Sequence, residues 1–143
     1  MWVNYMRWII LTIIFLACFA LSVKAQNCKY DKNGIEEPPF VWMANKLVPK
    51  TIRKIKGKVT DRTQEPIVGA VISVFQLNEN GAKFIGSNET DEKGRFCFGN
   101  LKKGKYAIKV GHKYFQLYEI DVNLEPKNKK AERELAFELD VGY

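Results

Sequence analysis

From Ile52 to Leu139 the chain alternates apolar and polar positions in short runs rich in Val, Ile, Phe and Tyr, separated by clusters of Gly, Pro, Asn and Asp. A period of two sends successive side chains to opposite faces of a strand, so this pattern predicts an all-β domain. Strands are expected near 52–60, 69–77, 82–88, 94–98, 104–111, 114–124 and 132–139. Seven short strands suit two packed sheets, a β-sandwich. Along the second, Ala70, Ile72 and Val74 share one face, and Val71, Ser73, Phe75 and Leu77 the other. The intervening turns have reasons of their own. Pro66 cannot donate to a ladder, and Asn78-Glu79-Asn80-Gly81 and Asp91-Glu92-Lys93-Gly94 read as tight hairpin turns.

Residues 26–51 show no sustained alternation of either period and carry Asn33-Gly34 and Pro38-Pro39, which predicts an extended arm. Phe40, Val41, Trp42, Met43, Leu47 and Val48 are too apolar for a solvated tail, so the arm is expected to be covered or to cover something.

Trp8–Val23 is one apolar run preceded by Arg7 and followed by the small residues of Val23-Lys24-Ala25. That layout predicts a signal peptide, residues 1–25, cleaved after Ala25. Two alternatives stand beside it: an uncleaved membrane anchor, and a lipoprotein modified at Cys18 within Phe15-Leu16-Ala17-Cys18. Cleavage leaves the arm at 26–51 and the sandwich at 52–143, and it predicts a secreted, periplasmic or envelope location with no stable membrane insertion afterwards. It also takes the net charge from +7 to +5 by removing Arg7 and Lys24. The lysines are scattered, as on a solvated surface, with the densest runs at Lys50–Lys58 and Lys127–Arg133. No nucleic-acid partner is expected from such a distribution, although weak attraction to acidic glycans or an anionic membrane is compatible with it.

Four segments in order resemble the carboxypeptidase regulatory-like domain family: Ile55-Lys56-Gly57-Lys58-Val59-Thr60-Asp61, Pro66-Ile67-Val68-Gly69-Ala70-Val71-Ile72, Thr90-Asp91-Glu92-Lys93-Gly94-Arg95-Phe96 and Leu101-Lys102-Lys103-Gly104-Lys105-Tyr106. The resemblance spans about Ile52 to Leu139. It implies a seven-stranded Greek-key β-sandwich of the transthyretin-like kind, found as an accessory module beside metallopeptidases, before outer-membrane transporters and in adhesin-like or carbohydrate-associated proteins. It also implies that Ala70, Ile72 and Val74 point inward with Phe96, Phe98 and the alternate residues of the later strands. Cys97, between two inward rings, then faces outward. Cys28 is its expected disulfide partner, the alternatives being two free thiols or a bond between chains. In that case the arm folds back across the sandwich and lays Phe40 and Trp42 near the outward side.

Catalysis is not expected. His112 is the single histidine, set at a strand end between Gly111 and Lys113. The hydrolase of the purine pathway that shares the transthyretin-like fold uses several histidines and a Tyr-Arg-Gly-Ser terminus, whereas this chain ends Asp140-Val141-Gly142-Tyr143. Asn88, Glu89, Asp91 and Glu92 lack the spacing of a calcium loop, so no metal or cofactor is expected, and Asn88-Glu89-Thr90 is a formal glycosylation sequon. The candidate ligand-contact aromatics are Trp42, Tyr114, Phe115 and Tyr118. The reading is a non-catalytic module that engages a protein or glycan partner. The alternatives are a small hydrolase and a structural module that completes a neighbour by strand exchange.

Overall fold

The computed structural model describes residues 28–40 and 44–141. The leader with Cys18, and Trp42 with its two neighbours, lie outside the described residues.

All regular structure among the described residues is strand: β1 Ala44–Ile52, β2 Ile55–Asp61, β3 Val71–Asn78, β4 Gly81–Glu89, β5 Arg95–Phe98, β6 Gly104–Gly111, β7 Leu117–Leu124 and β8 Leu135–Leu139. They form a five-stranded sheet in the order β1-β7-β6-β3-β4 and a three-stranded sheet in the order β5-β2-β8. Seven of the eight fall on the runs that alternate in the sequence. The eighth, β1, arises within the stretch expected to be an arm, where no alternation announces it. Its pairing with β7 is parallel and is broken by a register shift between Leu47 and Lys50, around Pro49, which has no N–H to give. Of the β1 side chains described, only Leu47 and Ile52 reach the core, so a period-two signal has little room to appear.

The core lies between the sheets, where parity predicts it. Ala70, Ile72 and Val74 are fully buried and meet Phe96, Phe98 and Phe137 of the smaller sheet, with Ile108, Val110, Ile120 and Val122 beside them. Phe96 and Phe137 stack at 6.1 Å between ring centres. Thr90, buried under the β4–β5 connection, donates its hydroxyl to Ile67 O and accepts the Ala70 N–H, so its buried hydroxyl is paired as donor and as acceptor.

The arm crosses the five-stranded sheet from one edge to the other. A disulfide joins Cys28 to Cys97 on β5, with Cα atoms 4.9 Å apart, and Gly99 N–H donates to Cys28 O. Asn88 Nδ2 donates to both Lys29 O and Cys97 O, which ties the start of the arm to β4 and β5 together. Tyr30 then packs against Phe98 at 5.2 Å, and Asp31 pairs with Ser87 through two backbone hydrogen bonds on the exposed edge of β4. From there the chain climbs onto the outward face. Ile35 N–H donates to Ser87 Oγ, Ser73 Oγ donates to Ile35 O, and Pro38 is buried above Gly111. The outward residues Val71, Ser73 and Cys97 are consequently as buried as core positions, at 4%, 0% and 2% exposure. Phe40, beyond Pro38 and Pro39, is 45% exposed.

Close approach of the arm needs glycine beneath it. A Cβ at Gly86 would stand 2.4 Å from the Tyr30 ring and 2.7 Å from Asp31 O. Gly86→Ala is therefore expected to cost about 1–3 kcal/mol in urea unfolding and to speed hydrogen exchange at the Asp31 and Ser87 amides while β6 and β7 amides stay protected. The disulfide closes a loop with a sequence separation of 69 residues. Replacing both cysteines by alanine is expected to lower unfolding free energy by about 2–4 kcal/mol, checked by urea melts against the oxidised protein.

Candidate functional site

β2 and β8 run parallel, with Asp61 opposite Leu139, so both strands end at the same pole as the turn between β6 and β7. That turn, residues 112–116, carries three of the aromatic rings at this end. It is closed by the Phe115 N–H bond to His112 O and is fastened to the end of β8 by Gln116 N–H to Asp140 O and by a bridge between Phe115 and Val141. Asn45 of β1 donates to Gln116 Oε1 at 2.6 Å from the other side.

Within the turn the His112 ring lies 5.6 Å from Tyr114 and edge-on to Phe115 at 5.5 Å. Lys113 Nζ sits 4.7 Å above the Tyr114 ring, a cation–π contact that steadies an otherwise open side chain. Tyr114 is 59% exposed and Phe115 is half-buried. Tyr118, expected beside them, is only 8% exposed, and its ring belongs to the core. Of these rings, Tyr114 and Phe115 keep exposed surface, whereas Tyr118 lies inward, as the alternation along its strand places it.

Two residues absent from the sequence expectations complete the pole. Arg62, just past β2, pairs with Asp140, just past β8. The Arg62 hydrogen bond holds the Asp140 carboxyl below its ordinary range, opposed by partial burial and helped by the Tyr118 hydroxyl. Burial first, and then the Asp140 charge, push the Tyr118 phenol up. Burial, with Lys113 adding to it, keeps the His112 imidazole below its usual value, so the ring is neutral at pH 7. The neighbours of His112 are two aromatic rings, a lysine and the Tyr114 N–H, which approaches Nδ1 at 3.5 Å. This is a stacking environment. Among the described residues the His112 ring makes no hydrogen bond to a carboxylate or a hydroxyl.

The acidic stretch weighed as a calcium loop divides between the end of β4, which holds Asn88 and Glu89, and the turn that follows it. Asp91 Oδ1 accepts the Lys93 and Arg95 N–H groups, and among the described residues no three His, Cys, Asp or Glu side chains are grouped to hold a metal. A shallow cleft of about 350 Å³ on the outward face is lined by Pro49, Leu77, Lys105, Asp121 and Asn123, with Asp121 already paired to Lys46 at 3.1 Å. No helix among the described residues is long and apolar enough to cross a membrane.

The carboxypeptidase regulatory-like domain model matches residues 54–139, well over half of the chain and the full run from β2 to β8. The chain belongs to this family. Its curated relatives include serine-aspartate repeat-containing protein D of Staphylococcus aureus (strain Newman), 38% identical over 61 residues, which cover 43% of this chain and 4% of that protein. The chain therefore spans a small fraction of the length of the relatives it matches. Among solved structures, the dioxygenase domain of a dioxygenase carbohydrate-binding protein fusion from Streptomyces sp. SirexAA-E aligns with a TM-score of 0.46 at 15% identity, over 78% of this chain and 99% of that one. Catechol 1,2-dioxygenase from Pseudomonas arvilla C-1 aligns with a TM-score of 0.42 at 12% identity, over 91% of this chain and 68% of that one. Overlaps this loose carry nothing about chemistry.

Because Asp140 has a depressed carboxyl, the stability it lends is present above the ordinary carboxylate range and is lost as pH falls through its own lower value. Arg62→Gln is expected to move the Asp140 titration upward toward that ordinary range, read from its side-chain carboxyl carbon by NMR.

Proposed function

We propose that this family member is a non-catalytic binding module of the cell envelope or extracellular space, engaging a protein or glycan partner through the His112–Phe115 turn. The supporting observation is the Tyr114 ring. It is open to solvent over 59% of its surface, yet it is held between Lys113 and His112 on a turn fastened to β8 and β1. A large ring presented in a fixed pose loses little conformational entropy when a flat sugar face or a peptide side chain stacks on it. The apolar leader, the disulfide and the family's use as an accessory module fit an exported setting in which a partner supplies the chemistry.

Two screens test this reading: a panel of oligosaccharides including cellohexaose and chitohexaose, and a phage-displayed peptide library, each offered to the mature chain. Tyr114→Ala is expected to weaken the selected ligand by about ten-fold or more, with an unchanged unfolding curve. Selected ligands that bind Tyr114→Ala as tightly as the parent overturn the assignment of the site. An ester or amide hydrolysis that disappears in His112→Ala overturns the non-catalytic reading.

A further inference from the structure

The pole opposite the aromatic turn gathers the charge that looks scattered in the sequence. β1 passes into β2 through Arg53-Lys54, and β7 passes into β8 through residues 125–134. Because β1 is parallel to β7 and β2 is parallel to β8, the two bends lie side by side. Backbone bonds from Arg53 N–H to Glu132 O, Glu132 N–H to Thr51 O and Glu125 N–H to Ile52 O sew them together. Segments 50–56 and 125–134, about 70 positions apart along the chain, thus bring eight Lys and Arg residues to one place against three glutamates.

Two of those glutamates are already paired, Glu132 with Lys50 and Glu134 with Lys56, each at 3.2 Å. Arg53, Lys54, Lys127, Lys129, Lys130 and Arg133 have no ion pair among the described residues. The bends enclose a cleft of about 220 Å³ lined by Arg53, Lys54, Lys56, Pro126 and Arg133. At its wall Arg53 Nε is buried and has no hydrogen-bond partner, the one such side-chain nitrogen or oxygen among the described residues. A buried charged donor left unpaired is costly, and an oxyanion at its fork removes the cost while taking two parallel N–H···O bonds. The bend itself is rigid: Glu125 accepts both the Asn128 N–H through its backbone and Asn128 Nδ2 through its carboxylate, and Lys130 N–H donates to Asn128 Oδ1.

We propose that this cleft binds the sulfate or carboxylate groups of an acidic glycan, at a site separate from the aromatic turn and independent of it. The surroundings select the class of polyanion. Neither segment holds an aromatic side chain on which a nucleobase stacks. None of the exposed large hydrophobic side chains lies in either segment, so the pole has nothing to bury in a bilayer. A concave cationic cleft with a wider cationic rim suits a chain of sugars, one acidic group entering beside Arg53 and Arg133 and its neighbours meeting Lys127, Lys129 and Lys130.

The test uses the mature, oxidised chain with four probes: a heparin-derived hexasaccharide, a hexamer of galacturonate, inorganic phosphate, and phosphatidylcholine vesicles containing phosphatidylserine. One of the two oligosaccharides is expected to bind, to shift the Arg53 Nε–Hε resonance, and to weaken steeply with added salt. Arg53→Gln with Arg133→Gln lowers that affinity at least about ten-fold, and the milder pair Lys54→Gln with Lys130→Gln lowers it in the same direction. Lys83→Gln with Lys103→Gln, which removes equal charge elsewhere, leaves it within about two-fold. The proposal is overturned by an equal loss in that control pair, by phosphate alone binding as tightly as either oligosaccharide, by binding to vesicles alone, or by no binding to either sugar chain.

Discussion

Parallel pairing of β2 with β8 and of β1 with β7 is the constraint from which the rest of the molecule follows. Parallel neighbours cannot be joined by a tight hairpin, so each chain segment that leaves one sheet enters the other through a bend, and two such bends stack at the same pole. β2 and β8 then carry their far ends to the opposite pole, where Arg62 and Asp140 meet across the parallel pair. One topological choice therefore sets both charge features: unlike charges face each other where the strands end, and like charges crowd where they begin.

The sandwich alone leaves an outward sheet face that mixes Val71, Phe75 and Leu77 with Ser73. The arm resolves the upper half of that face with polar as well as apolar contacts: Ser73 and Ser87 hydroxyls anchor Ile35, Glu37 reaches Lys109 at 2.6 Å, and Pro38 seals the end of β6. Lower down, Phe75 and Phe84 pack against each other at 5.5 Å, and Lys109 lies 5.1 Å over Phe75. Asp31 matters as much at the edge, since its two bonds to Ser87 occupy backbone groups of β4 that would otherwise offer a template for another chain. Holding the arm at Cys28 by a covalent bond limits how far it opens when those few contacts break.

The sequence made the inner layers readable because Ala70, Ile72, Val74, Phe96, Phe98, Tyr106, Ile108 and Val110 obey a period of two without interruption, and burial between sheets demands that period. β1 escaped because it is an edge strand with a shifted register, a proline and only two core side chains. The aromatic turn was visible as composition, and the inward place of Tyr118 was legible from the alternation of its strand. Tyr118 continues the inward parity of β7 with Ile120 and Val122, and that parity places its ring in the core. Arg62, Asp140 and the arch cleft were out of reach, since each depends on which strand ends coincide, and strand order is not written in local pattern.

The two poles differ in how their energetics respond to conditions, and that difference separates their roles on physical grounds. At the aromatic pole the exposed rings offer apolar contact, with a single cation over Tyr114 and one ion pair between Arg62 and Asp140. At the opposite pole, six cations with no ion pair among the described residues repel one another, a repulsion that salt relieves. β2, with 7 residues, holds these two surfaces about 23 Å apart, on a sheet too stiff to let one slide toward the other. The two ends of the sandwich therefore differ in physical character, with exposed rings at one and a cluster of cations at the other.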